Sequence, residues 1–200
     1  HNSICHINGI SDPVQLSIIV DITKQKETTE QLRFLESVAH ALLANPDTAE
    51  SILAILRRLR DFFDSSRVYV FELDFKNGSA ACTYEVCGEG IREEKNDLQD
   101  IPLNSVAYWL HAFDEQDHVD IKDVKSANIS DCEKKLILEC GVSSLLAIPL
   151  RRNGNLIGFV GIDEPLRRRE QIKSLSALGD YVSVLLNRRD LCEKIKEENL

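Results

Sequence analysis

The hydrophobic and polar positions of this chain change rhythm along its length, and each rhythm predicts a different element. From Lys24 the rhythm is helical. Leu32, Leu35, Ala39 and Leu42 recur at spacings of three and four among Lys, Glu, Gln and Thr. Asn45-Pro46-Asp47 breaks that helix, and Asp47 or Thr48 is a suitable N-cap for the next. The second helix carries Ile52, Leu53, Leu56, Leu59, Phe62 and Phe63 and ends near Asp64-Ser65-Ser66. Its Arg57, Arg58 and Arg60 read as a solvated face. A strand follows over Val68–Phe75, a turn at Lys76-Asn77-Gly78, and a second strand over Ser79–Val86. Residues 88–100 form a long polar connection of the kind that marks a functional or mobile loop.

Further along, 106–113 predicts a short helix, 119–121 a short strand and 131–140 another helix. Ser130 caps that last helix and Gly141 stops it. Two strands, 144–151 and 156–163, flank a hairpin loop built on Asn153-Gly154. A long final helix carries Ile172, Leu175, Leu178, Val182, Leu185 and Leu186 on one stripe and continues past Leu191. The expected fold is α/β, of the α+β type. Its central sheet is mainly antiparallel, with the N- and C-terminal helices on one face and short helices and loops on the other. Ahead of all this, Ile4, His6 and the 16–20 stretch suggest two strands, with Asn8-Gly9 and Asp12-Pro13 as turns between them.

Composition narrows the function. The 200 residues are 43% hydrophobic and 28% charged, which suits one domain with appended segments. A formal net charge of -9 repels phosphate backbones, so nucleic acid is not an expected partner. No apolar run is long enough to span a membrane. The start at His1-Asn2-Ser3 has neither Met nor a signal pattern and reads as a piece of a longer protein. None of the six cysteines has CxxC spacing, so structural cytosolic thiols are expected and no metal site or cofactor is identified. The histidines show no metal-binding spacing, and phosphate-cradling glycine motifs are absent.

The order and spacing of several stretches carry a resemblance. These are RVYVFELD (67–74), YEVCGEGI (84–91), IPLNSVAYWL (101–110), HVDIKDV (118–124), SSLLAIPL (143–150) and NLIGFVGIDEP (155–165). Together they resemble the GAF family over 35–189. The stretch 16–32, with Asp21-Ile22-Thr23 at a strand–helix join, resembles the C-terminal end of a PAS domain. The expected organisation is a PAS end and linker at 1–27, a GAF sensor at 28–190 and the start of a helical linker at 191–200. Such tandems feed a histidine kinase, a diguanylate cyclase or a cyclic-dinucleotide phosphodiesterase, and none of those output motifs occurs here. The resemblance implies a cytoplasmic regulatory module, with catalysis residing in another domain.

The resemblance also locates a ligand site between sheet and middle helices. Tyr69, Phe71 and Leu73 share one strand face by alternation, and the Tyr69 face looks to the pocket. Tyr84 and Trp109 would complete an aromatic lining. The expected site residues are therefore Tyr69, Phe71, Tyr84 and Trp109, for an unknown small-molecule ligand. A filled core without ligand is the alternative. Phe159-Val160-Gly161-Ile162-Asp163-Glu164 matches half of the cyclic-nucleotide motif of some GAF domains, without its Asn-Lys pair. The Cys-His neighbours that bilin attachment implies occur only at Cys5-His6. Cys82 and Cys87, at odd spacing, fall on opposite faces of a regular strand, which argues against a GAF-type methionine sulfoxide reductase. Both terminal helices suit a homodimer that passes a change along paired helices, and a ligand-free dimerisation and spacer module is the second functional reading.

Overall fold

Two short strands, β1 (Asn2–Cys5) and β2 (Val14–Ser17), pair antiparallel, with Asn2 opposite Ser17. The structure, a computed structural model, describes residues 2–5, 14–17, 23–44, 47–175 and 177–198. His6, the two expected turns, residues 18–20, Asp21-Ile22 and Asn45-Pro46 lie outside the described residues. The chain divides into two compact units, 1–36 and 37–200. Helix α1 runs from Thr23 to Ala44. Phe34 and Val38 are its buried positions, whereas Leu32 is 62% exposed and Ala39 is exposed. Of the predicted α1 stripe, Leu32 and Ala39 are thus on the open side of the helix and Leu35 is half-buried.

In the second unit, Asp47 caps α2 (Thr48–Phe63) by accepting from the Ala49 N–H at 2.8 Å. Asp64 closes it in the left-handed conformation, with φ 51. The strands are β3 (Arg67–Asp74), β4 (Ser79–Cys87), β5 (Ile101–Pro102), β6 (Val119–Ile121), β7 (Leu145–Arg152) and β8 (Asn155–Asp163). They form one antiparallel sheet in the order β5-β4-β3-β8-β7-β6. The fold is the expected α+β arrangement. Strand β5 is an addition, since two residues carry no period to read.

Helices α3 (Ala107–Glu115) and α4 (Asp131–Glu139) cover one face of the sheet. Ser130 and Glu133 make a complete capping box at the start of α4. The other face is covered by α2 and α5 (Ala177–Glu198), which also pack on each other. Val68, Val70, Leu56 and Phe63 are fully buried there. Gly179 lets α5 approach closely, because a Cβ on it would stand 2.4 Å from the Pro149 carbonyl oxygen.

The final stripe needs a correction. Ile172 is buried in a 3-10 stretch, Arg169–Leu175, that precedes α5. Leu178, Val182, Leu185 and Leu186 are buried. A second apolar row, Tyr181, Val184 and Leu191, is 48%, 67% and 52% exposed.

Candidate functional site

Alternation along β3 puts Arg67, Tyr69 and Phe71 on the face toward α3 and α4. Directly opposite on β8 stand Asp163, Gly161 and Phe159. Phe71 and Phe159 stack at 5.2 Å between centroids. The Tyr69 ring occupies the space where a side chain at 161 would stand, since a Cβ there would lie 2.2 Å from its Cζ. That placement lets the Tyr69 hydroxyl donate to Asp163 Oδ1 at 3.2 Å.

At this end of the face sits a buried ion cluster that sequence reasoning missed. Arg67 is 4% exposed and Asp163 2%. Arg67 Nη1 lies 3.7 Å from Asp163 Oδ2, and its Nε 3.4 Å from Glu85 Oε1. Burial pushes the Asp163 carboxyl up to about 7, against the opposing pull of Arg67 and the Tyr69 hydrogen bond. Burial and the neighbouring Asp163 also push the Tyr69 phenol well up. The signal for the cluster lay in the same alternation, with Arg67 two residues before Tyr69 and Asp163 two after Gly161.

The connection expected to be functional or mobile is tied down through this cluster. Glu85 accepts from the Glu94 and Lys95 N–H groups at 3.0 and 2.9 Å. Arg67 Nη2 donates to the Arg92 carbonyl at 3.1 Å, and the Cys82 N–H to the Leu98 carbonyl at 2.9 Å.

Between the sheet and α3–α4 lies a cavity of about 50 Å³. Tyr69, Phe71 and Trp109 line it, together with Arg67, Asp163, Glu133 and Cys140. Its remaining walls are mainly apolar. The Glu133 carboxylate is already engaged, accepting from the Tyr108 N–H, the Ser130 N–H and the Ser130 hydroxyl. Trp109 is 4% exposed, and its Nε1 is buried with no hydrogen-bond partner among the described residues.

Tyr84 is elsewhere. The register of β4 shifts so that Cys82 pairs with Phe71 but Tyr84 with Val70, leaving Thr83 extra. This bulge turns Tyr84 to the opposite face, where Arg189 of α5 lies 5.9 Å from its ring centroid. The same bulge corrects the expectation for the thiols, because Cys82 and Cys87 now pair with Phe71 and Arg67 and share the cavity face. Strand rise still separates them by roughly 13 Å. Burial pushes Cys87 and Cys140 up to about 11 and Cys82 higher still, which disfavours thiolate. Among the described residues no group of His, Cys, Asp and Glu side chains could hold a metal ion. None of their helices is long and apolar enough to cross a membrane.

Residues 47–186 match the GAF domain family. The chain belongs to this family. GAF domains are regulatory sensors. Among curated proteins, the methanogenesis regulatory histidine kinase FilI of Methanothrix harundinacea (strain 6Ac) is 26% identical, over 74% of this chain and 18% of that protein. The chain thus spans about a fifth of that relative's length. Solved structures share the fold. A far-red absorbing domain in its dark state with bound biliverdin superposes with a TM-score of 0.67 at 13% identity, covering 78% of this chain and 99% of that one. The GAF domain of a phosphoenolpyruvate-protein phosphotransferase from Coxiella burnetii gives 0.62 at 13%, covering 83% and 98%. A phycoerythrobilin-bound GAF domain from a cyanobacterial phytochrome gives 0.65 at 14%, covering 83% and 99%.

Proposed function

We propose that this GAF chain is the small-molecule-sensing and relay module of a signal-transduction protein, with the ligand in the cavity between sheet and α3–α4. One observation carries the reading: β3 faces both ways. Tyr69 and Phe71 line the cavity, and the next residue, Glu72, is held from the other side by α5. Arg189 donates to both Glu72 oxygens at 2.7 Å. Asp190 pairs with Arg189 at 2.7 Å and with Arg152 of the β7–β8 hairpin at 2.9 Å. A ligand that moves β3 therefore changes the seat of the exit helix. Bidentate pairing fixes both distance and orientation, so a small strand shift is passed on rather than absorbed.

The ligand displaces the population between two seatings of α5 by binding one better than the other. The exposed positions Leu32 and Ala39 on α1 and Tyr181, Val184 and Leu191 on α5 support a homodimer, each row self-pairing across two copies. In this reading the output is a histidine kinase, diguanylate cyclase or phosphodiesterase in a cytoplasmic setting, and the similarity to a histidine kinase supports the first of these alone. In this reading 1–27 is the end of a PAS domain, 28–190 the sensor and 191–200 the start of the outgoing linker.

A bilin does not fit these residues. The cavity is far below the roughly 300–1,000 Å³ of cofactor pockets. Cys140, which lines it, is flanked by Glu139 and Gly141 rather than His, and its thiol is pushed up to about 11. Cyclic nucleotides fit poorly too, because Phe159 is stacked and Asp163 is engaged by Arg67 and Tyr69.

A thermal-shift screen of cyclic nucleotides, amino acids and neutral aromatic metabolites tests the reading. It is run on the wild type and on Ile137→Trp, which fills the cavity. Saturable stabilisation lost in the variant supports the proposal. No stabilisation by any class favours the spacer reading, which requires a dimer by light scattering that Val184→Glu dissociates.

A further inference from the structure

Resting on the sensing site just proposed, we infer that its ligand is a small, uncharged, flat molecule with an apolar ring and one hydrogen-bond acceptor, taken by the Trp109 indole N–H. The charge around the cavity argues against an anion. Arg67 is the cation lining it, and Asp163 and Glu85 lie 3.7 and 3.4 Å from its guanidinium. Glu133 adds a further carboxylate, 2% exposed. Even with Asp163 holding its proton, as it does to about pH 7, the one guanidinium faces the Glu85 and Glu133 carboxylates and has no charge to spare for a phosphate or carboxylate. A second anion there would be desolvated without a partner.

A cation is disfavoured for a different reason. The carboxylates are already occupied: Glu133 by three donors, Glu85 by two backbone N–H groups and Asp163 by Tyr69. What remains open is a donor. Trp109 Nε1 and Arg67 Nε are both buried at the cavity without a hydrogen-bond partner among the described residues. Arg67 Nε is held 3.4 Å from Glu85 Oε1 in an ion pair, whereas the indole has no such compensation, and a buried N–H left unpaired is costly. The neighbouring surfaces are flat rings. Trp109 lies 6.1 Å from Phe159 at 30°, and Phe159 stacks on Phe71. A planar apolar ring is the shape that such walls select. The limited space rules out anything larger than a single ring with short substituents, and even one ring requires the walls to yield, since a cavity of about 150 Å³ is what holds benzene.

Trp109 is the one tryptophan in the chain, so a single indole cross-peak in a 15N–1H spectrum reports the site. Four probes separate the possibilities: acetophenone (neutral, with an acceptor), ethylbenzene (the same shape without one), benzoate (anionic) and cyclic AMP. Acetophenone is expected to move the indole proton downfield and saturate, binding about tenfold tighter than ethylbenzene, the worth of one hydrogen bond. Benzoate and cyclic AMP are expected to bind at least about tenfold weaker than acetophenone. Trp109→Phe, followed on the methyl signals of Val106 and Val142, is expected to bring acetophenone and ethylbenzene to equal affinity. The four-probe ranking on the wild type decides the matter even if that variant does not fold. Tighter binding of benzoate or cyclic AMP overturns this ligand class while leaving the sensing site standing. An unchanged acetophenone-to-ethylbenzene ratio in Trp109→Phe overturns the role of the indole. No binding by either neutral ring overturns the inference, and only a blank across the wider screen as well removes the site.

Discussion

The two faces of the six-stranded sheet are built on opposite principles. Under α2 and α5 the face is filled with Val68, Val70, Leu56 and Phe63, all at 0% exposure, and its charges sit at the rim as the Arg189–Glu72–Asp190–Arg152 network. Under α3 and α4 the face keeps a cavity, buries an Arg–Asp–Glu cluster and leaves an indole N–H without a partner among the described residues. The first arrangement maximises packing and holds the fold. The second gives up packing and desolvation energy in a place where a ligand can restore both, which is where a sensor has to be unfinished. Both faces share the backbone of β3 and β8, so neither can shift alone.

Deleting bulk from the two faces breaks or sharpens this contrast first. Phe63→Ala on the filled face should cost about 3–5 kcal/mol by chemical denaturation. Val142→Ala beside the cavity should cost about 1.5 kcal/mol, two methyl groups at roughly 0.8 each. The matched change on the filled face, Val68→Ala, should cost more than Val142→Ala, because the same two methyl groups leave a new cavity there. Equal costs for the two Val→Ala changes would mean that the cavity face is as tightly filled as the other.

Next comes the buried charge. Arg67→Met leaves Asp163 and Glu85 without a counter-ion and should cost about 3–5 kcal/mol. Asp163 escapes part of that by taking a proton, so the loss should be larger at about pH 8 than at about pH 5. A loss independent of pH would show that Asp163 is not the group left stranded.

Asp163 itself gives a signed pH dependence. Folded, it keeps its proton to about pH 7; unfolded, it loses it near its ordinary 3.8. Between those values the folded state binds more protons, so this group's contribution to stability falls as pH rises and is flat above the folded value. Burial is the cause; Arg67 and Tyr69 oppose it, and Glu164 and Glu85 reinforce it. Denaturation of Asp163→Asn beside the wild type should therefore show the variant gaining on the wild type from about pH 4 to pH 7. The opposite slope would place an ionised Asp163 in the folded state at all those pH values.

The smallest effect belongs to the cap that seats α4 over the cavity. Ser130→Ala should cost about 1 kcal/mol and loosen Glu133 at the same time, read as faster amide exchange at the start of α4.

Caps, turns and long periodic elements were legible because their chemistry is local. Asp47, Ser130, Gly141 and Asn153-Gly154 announce themselves within four residues. So did the strand face of Tyr69 and Phe71, with Trp109 opposite. Tyr84 was not legible, because one extra residue at Thr83 reverses every later side chain of β4 without leaving a mark in composition. Arg67 and Asp163 were overlooked for a related reason. Charges at the ends of apolar strands read as exits to solvent, and only the register that sets Arg67 against Asp163 makes them a buried pair. On α5 the periodicity exposed one apolar stripe, and the outward row of Tyr181, Val184 and Leu191 was hidden behind it.

The most direct test of the account is amide exchange along α5 with the cavity occupied. The protein is saturated with acetophenone and compared, with and without it, as wild type and as Arg189→Met. The account predicts slower exchange in α3 and α4 of both proteins, and changed exchange in the 188–198 half of α5 in the wild type alone. Occupancy of the cavity with α5 unaltered in the wild type, or altered equally without Arg189, would contradict a relay through β3 and the Glu72–Arg189 pair.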